Sequence, residues 1–508
     1  MGRNRQWVEY VVFTKYKKPV VFILKTTGLF FKGLNFMTKN LFVRKTTIHA
    51  PISTVFSWHA ADGAINRLTP PWAPLSLVAR KGRGIDPGVE VTFRIKIFGI
   101  PMIWEARHID YKENTMFRDC QVKGPFAEWE HSHLFYEKST DVTVMEDQVR
   151  FRLPFGIFGL PFNGYAQRQL ERIFFYRHQV LKYDMENRVG QIKKQRILIS
   201  GGSGTLGKAL VSFLKTCGHE VIRLVRDPRM HAQNDRSKDV LYWDPYKNIL
   251  NMDAVGPVDA VINLNGVDIL KGRWNRRRRA KILDSRVIPT RVLVEKMKRM
   301  AHPPSTFISA SAIGFYGDGG DRILTEKSGP RDCFISRVCR QWEDASFGAT
   351  QAGIRTVQLR IGVVLTPAGG ALERMYLPFL MGLGTRLAHG RQYMGWIGIE
   401  DVLGGIFHIL ANKGITGPVN LTAPEPVTNG EFTRTLARVL GRRTPFVLPE
   451  ALVLALWGDM GKETLLASTR VMPEKLIQSG YRFVHPRLEM ALGHVLGRPA
   501  AKNTDGTM

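Results

Sequence analysis

Residues Arg196 to Gly207 constrain this chain more than any other stretch. A short apolar run, Ile197, Leu198 and Ile199, breaks into Ser200-Gly201-Gly202-Ser203-Gly204-Thr205-Leu206-Gly207, and helical spacing begins at Lys208. Gly201, Gly204 and Gly207 stand three apart. In a strand-turn-helix of this kind the first glycine permits the tight turn, the second lets backbone approach a pyrophosphate, and the third lets the helix pack close on the strand. The helix N-terminus then offers free N–H groups to the phosphate oxygens. An amphipathic segment (Leu210, Val211, Leu214) follows, and a second apolar strand, Val221 to Val225, comes at the expected distance. Gly201, Gly202, Ser203, Gly204, Thr205, Leu206 and Gly207 are therefore expected to cradle a dinucleotide.

The end of the second strand refines that expectation. An acidic residue there accepts from the ribose 2′-hydroxyl of NAD, whereas a basic residue meets the 2′-phosphate of NADP. The chain has Arg226, followed by Asp227 and Pro228. Arg226 favours NADP; NAD remains the alternative if Asp227 turns inward.

At 508 residues the chain is long enough for two or three domains. No run of 18 or more apolar residues occurs, which predicts no membrane-spanning helix. Four scattered cysteines, Cys120, Cys217, Cys333 and Cys339, suit a reducing cytoplasm. The net charge of +29 raises affinity for anions of every kind. Its distribution is diffuse, which argues against a specific nucleic-acid partner. The densest run, Arg273 to Lys281, opens a helical segment and suits a solvated face or a phosphate contact.

Residues 1–40 form a basic, aromatic-containing extension, expected to be poorly ordered or to touch a membrane surface peripherally. Residues 41–186 carry the pattern of an antiparallel sheet closed by a long helix. Val89, Val91, Phe93, Ile95 and Ile97 alternate with polar residues, marking a strand with one buried face. Further strands are expected at Phe42 to His49, Ile103 to Ile109, Thr115 to Gln121, Glu128 to Glu137 and Asp141 to Arg152, and a helix over Tyr165 to Tyr183. This α+β order, with the Ile48-x-Ala50-Pro51 start, resembles the START-like helix-grip superfamily, and the resemblance implies an apolar cavity for a hydrophobic ligand. His131 and His133 share a strand face, but with no third ligand in sequence reach no metal is assigned.

Residues 187–195 make a polar, basic linker. From 196 to 496 strands alternate with helices, an α/β Rossmann-like, doubly wound parallel sheet with a small substrate lobe; residues 497–508 are expected to be a disordered tail. The glycine turn, Asn263-Leu264-Asn265-Gly266, Ser285-Arg286-Val287, Ser309-Ala310-Ser311-Ala312-Ile313-Gly314-Phe315-Tyr316-Gly317, Arg360 to Leu365 and Val427 to Phe432 together resemble the atypical extended short-chain dehydrogenase/reductases of the NAD-dependent epimerase/dehydratase, or nucleoside-diphosphate-sugar epimerase-like, family. That resemblance implies NADP held by the glycine turn, Arg226, Leu264, Asn265 and Gly266, with Ser309 and Arg360 on the cofactor side. It also implies that Trp396 to Val402 anchors the substrate lobe.

One departure bears on chemistry. The superfamily's catalytic Tyr, with a Lys four residues later, should fall near Phe334-Ile335-Ser336-Arg337-Val338, and neither is present. Tyr316, Ser311 and Ser309 are the candidate replacements as proton donor. Two functions follow: an NADP(H)-dependent oxidoreductase or epimerase acting on a small, apolar carbonyl or hydroxyl substrate, or a non-catalytic protein that binds a dinucleotide and a lipid-like ligand.

Overall fold

Runs that are apolar at every residue and runs that alternate go to two different sheets. The computed structural model describes residues 8–13, 19–24, 40–97, 99–154, 159, 161–187, 192–229 and 239–498. Seven parallel strands stand in the order Val240–Tyr242, Glu220–Val225, Arg196–Ser200, Ala260–Asn263, Thr306–Ala312, Arg355–Ile361, Gly417–Leu421. Helices cover both faces, so Leu198, Ile199, Val261, Ile262, Phe307 and Ile308 are all fully buried, the composition a doubly covered parallel sheet demands. The first strand lies centrally, and strand order reverses between it and Ala260–Asn263, where Ser200 pairs with Asn263. Ligands bind at such a switch point, beyond the carboxyl ends of the strands.

The second sheet is antiparallel throughout, in the order Asn40–Ile48, Val142–Arg152, Glu128–Ser139, Met116–Lys123, Ile100–Lys112, Glu90–Ile97, Leu75–Lys81. Helix Asn163–Asn187 packs Leu170, Phe174, Val180 and Leu181 against it. The strands expected from alternation are present with ends displaced by a few residues. Leu75–Lys81 escaped the sequence reading because this edge strand has no fully buried residue and a bulge between Leu77 and Ala79.

Aromatic, aliphatic and histidine side chains pack between sheet and helix in this unit. One small void between sheet and helix, of about 10 Å³, is lined by His59, His133, Asp147, Arg177 and His178 among others, which suits one water. A larger recess of about 510 Å³ lies outside, against Asn40–Ile48, and carries Arg44, Glu171 and Arg172. The small void does not supply the apolar ligand chamber implied by the helix-grip resemblance, being lined chiefly by histidine, aspartate and arginine.

The two units are fastened by buried contacts. Arg67, on the short helix Ala64–Leu68, donates to both carboxylate oxygens of Asp184 at 3.0 and 2.9 Å and to those of Glu400 at 3.1 and 2.5 Å. Gly63 sits on the Ser212 carbonyl so closely that a Cβ would collide with it. Arg172 donates to the Leu496 carbonyl at 2.8 Å. Trp396 to Val402 serves both units: Trp396 and Ile399 share an apolar cluster with Leu372, Phe432 and Leu436 of the added lobe. Glu400 holds the N-terminal unit, while Asp401 accepts from the Tyr481 hydroxyl and from the Val484 and His485 amides at 3.1, 2.7 and 2.9 Å.

Within the basic extension, Val8–Phe13 and Pro19–Leu24 pair as an antiparallel hairpin; the rest of residues 1–39 lies outside the described residues. The expected tail, from residue 499 onward, lies outside the described residues, as do 188–191 of the linker. No helix among the described residues is long and apolar enough to cross a membrane.

Candidate functional site

The glycine turn owes its shape to what a side chain would strike. Gly201 has φ +78°, and a Cβ there would fall 2.6 Å from the Leu264 carbonyl. A Cβ on Gly207 would enter the Gly201 carbonyl and crowd the Gly202 Cα. These two positions hold the helix Thr205–Thr216 against the turn and the turn against the neighbouring strand. Gly204 differs: its nearest neighbour would be the Gly201 carbonyl oxygen at 3.4 Å, and Ser203, Gly204 and Thr205 are exposed. The first helical hydrogen bond runs from Lys208 N to Gly204 O. The N–H groups of Thr205, Leu206 and Gly207 ahead of it have no intrahelical partner, and no acid occupies the first turn. Bare backbone, free N–H groups and a helix dipole fit a pyrophosphate.

Beneath the turn lies a polar hub that sequence spacing did not show. Asn263 is fully buried; its Oδ1 accepts from Ser200 Oγ at 2.9 Å and Asn265 Nδ2 at 2.7 Å, while its Nδ2 donates to Thr290 Oγ1 at 2.7 Å and Ser309 Oγ at 3.2 Å. Trp342 Nε1 also donates to Thr290, at 3.1 Å. The Leu264-Asn265-Gly266 turn is thereby fixed from two strands and two helices. Gly266 packs on the Arg286 guanidinium, which lies 5.2 Å from the centre of the Trp342 ring and donates to the Val267 carbonyl at 3.1 Å. Burial pushes Arg286 down to about 10. It has no carboxylate ion-pair partner among the described residues. In the sequence it stands out through the Ser285-Arg286-Val287 motif, not through any pattern of charge on its strongly basic helix.

Arg226 ends the strand Glu220–Val225 and is exposed. The Asp227 carboxylate accepts from the Arg229 amide at 2.9 Å, a local turn that occupies the acid. From the other side, Gly369 packs against the Thr205 side chain, and Arg374, on helix Gly370–Leu380, pairs with Asp268 at 2.5 Å and donates to the Leu270 carbonyl at 2.6 Å. The smaller lobe is tied in this way to both cofactor-side turns.

The remaining candidates are buried and bonded within the protein. Tyr316 is 1% exposed, donates to Asn420 Oδ1 at 2.7 Å and accepts from Arg360 Nη1 at 3.0 Å. Burial raises its pKa, the reverse of what a proton donor activated at neutral pH requires. Arg360, assigned to the cofactor side from sequence, donates to Glu343 at 2.9 and 2.8 Å and to Tyr316 Oη. Ser311 is buried and donates to Glu343 at 2.6 Å. Ser309 is buried beside Asn263. Where the Tyr/Lys pair would stand, Phe334 packs on Trp274 at 5.2 Å and Val338 is in the core. Within the basic run Arg273 donates to the Ala455 carbonyl at 2.6 Å, Arg278 donates to the Asp268 carbonyl and Arg279 pairs with Asp459, while Arg276, Arg277 and Lys281 are exposed.

Sheet order, glycine turn and added lobe define a Rossmann-like fold of the epimerase and short-chain dehydrogenase type. The profile of the NAD dependent epimerase/dehydratase family matches residues 197–421, and that of a domain of unknown function, DUF1731, matches 448–495. An epimerase family protein of Mycobacterium bovis is 41% identical over 303 residues, 60% of this chain and 98% of the relative. A solved nucleoside-diphosphate sugar epimerase from Corynebacterium glutamicum superposes with a TM-score of 0.72 at 29% identity, covering 90% of each chain. The human epimerase family protein SDR39U1, solved with NADPH, superposes with a TM-score of 0.54 at 32% identity, covering 59% of this chain and 99% of the human one. The chain belongs to the NAD-dependent epimerase/dehydratase family.

Proposed function

We propose that the chain binds NADP(H) across the glycine turn and the Leu264-Asn265-Gly266 turn, and uses it in oxidoreductase or epimerase-like chemistry on a small carbonyl or hydroxyl compound. The observation that carries the NADP reading is the contrast between Arg226, exposed at the strand end, and Asp227, whose carboxylate is occupied by its own turn. The relative solved with NADPH supports it. The N-terminal unit, an antiparallel sheet gripping one helix, is assigned here to the START-like class on its element order.

When bound, the nicotinamide supplies the hydride. The chain's own residues hold the pyrophosphate on the Thr205–Gly207 amides, fix the adjoining turn through Asn263, and set guanidinium charge nearby through Arg226 and Arg286. A second, non-catalytic reading is favoured by one observation: the hydroxyls of Ser309, Ser311 and Tyr316 are all buried and bonded within the protein.

Calorimetric titration with NADPH and NADH tests the binding. Wild type should prefer NADPH, and R226A should lose about tenfold of that preference, the worth of one charge-assisted contact. Binding of neither coenzyme would overturn the reading. Following nicotinamide absorbance over a panel of carbonyl and hydroxyl compounds then separates enzyme from binding protein.

A further inference from the structure

The packed interior of the N-terminal sheet holds a histidine and aspartate cluster that the dinucleotide chemistry does not use. Strands Met116–Lys123, Glu128–Ser139 and Val142–Arg152 are neighbours, and their register sets Asp119 opposite His131 and Asp147 opposite His133. All four lie on the face turned toward the helix. Asp119 Oδ2 is 3.4 Å from His131 Nδ1 and 3.9 Å from His133 Nε2, and the three donor atoms lie within 4.8 Å of one another. A tetrahedral ion with bonds of about 2.0–2.1 Å to nitrogen and oxygen separates its ligands by about 3.4 Å. The triad is therefore spaced close to one face of such a polyhedron.

The outer ring of groups is also present. Asp147 Oδ1 lies 3.1 Å from His131 Nε2, on the far side of that ring from Asp119. The same oxygen lies 2.6 Å from His133 Nδ1, a close electrostatic contact rather than an aligned hydrogen bond. Asp147 Oδ2 is bound by His178 Nε2 at 2.8 Å, and His178 Nδ1 meets Thr46 Oγ1 at 2.8 Å. A carboxylate behind a ligating imidazole fixes its tautomer and leaves the other nitrogen bare for a metal. A second observation points the same way: Nδ1 of His108, directly across the ladder from Asp119, is buried and has no hydrogen-bond partner.

We propose that Asp119, His131 and His133 bind a divalent first-row transition metal, zinc foremost, with Asp147 as the carboxylate that orients the imidazoles. Two imidazoles and one carboxylate suit zinc or iron(II) and disfavour magnesium and calcium, which take oxygen ligands. Three protein ligands leave a coordination position open, the pattern of a reactive rather than a purely structural centre. The sequence showed only two of the three ligands, because Asp119 reaches the pair across the sheet rather than along the chain.

The test uses the full chain, stripped with chelator and dialysed against Zn2+ or Co2+. Wild type should retain one metal per chain by elemental mass spectrometry, and Co2+ should give the intense visible bands of a four-coordinate site. H131A and D119N should weaken retention about tenfold or more, and D147N by about 10–100-fold. NADPH affinity, read in the other unit, should not move, which separates loss of the site from loss of the fold. Wild type that retains neither ion, or retention unchanged in H131A and D119N, overturns the proposal. Should those variants fail to fold, absence of the Co2+ bands in wild type overturns it equally.

Discussion

Arg67 and Glu400, 333 positions apart in the chain, form a buried ion pair at 2.5 Å that joins the two halves of the molecule. Burial alone would lower the Arg67 guanidinium, but Asp184 and Glu400 raise it well above its ordinary value. Replacing one partner leaves the others charged and desolvated, which costs about 3–5 kcal/mol. R67M is expected to lower the unfolding free energy by that amount. E400Q in the R67M background should restore part of the loss, since one orphaned charge is then gone. Denaturant titration of the two variants checks this; equal stability of R67M and wild type would remove the pair from its fastening role.

Gly204 and Gly207 should separate binding from folding. A Cβ on Gly207 meets backbone, so G207A is expected to destabilise by about 1–3 kcal/mol as the helix is pushed off the turn. A Cβ on Gly204 meets only one carbonyl oxygen, at 3.4 Å. G204A should melt near wild type and still lose NADPH affinity, because the added methyl stands where the pyrophosphate approaches. Thermal denaturation and calorimetry on the same two samples decide it. A G204A protein that binds NADPH normally would refute that placement.

What the sequence made legible was whatever is encoded locally. The glycine turn, the apolar parallel strands and the alternating strand Glu90–Ile97 each carry their pattern within a few neighbours. Gly417–Leu421 was hidden because Pro418 and Asn420 interrupt its apolar run, a composition an edge strand tolerates. Asn263 at the hub, Asp119 beside His131 and Glu400 beside Arg67 depend on partners from other strands or from the other unit. Their roles become visible only when register and docking are known. The same limit hid the ion pair of Arg360, whose partner Glu343 comes from helix Phe334–Gln351.

Tyr316 gives a test of role by stability rather than turnover. Its hydroxyl satisfies Asn420 Oδ1 and receives Arg360 Nη1, both buried. Y316F strips one partner from each, and leaving buried groups unsatisfied costs about 1–3 kcal/mol. Unfolding free energy should fall by that much while NADPH affinity stays unchanged. Unaltered stability together with lost turnover on an identified substrate would return the phenol to the catalytic role inferred from sequence.

His485 makes the junction between the units sensitive to acid. Its ring lies tilted against His494 at 4.7 Å and edge-on to Tyr183 at 5.5 Å, with its Nδ1 4.0 Å from Asp401 and Glu400 lying beyond His494. Burial, then the neighbouring His494, push its pKa down to about 3. Below the ordinary histidine value of 6.5 the unfolded chain takes up a proton that the folded one refuses. Stability contributed at this position is therefore complete above about pH 6.5 and drains as pH falls toward 3, by about 1.4 kcal/mol per unit. H485F should flatten the decline between pH 7 and pH 5 by about 2 kcal/mol relative to wild type. Denaturant midpoints for both proteins at the two pH values measure it, and parallel declines would show that His485 is already protonated in the folded chain.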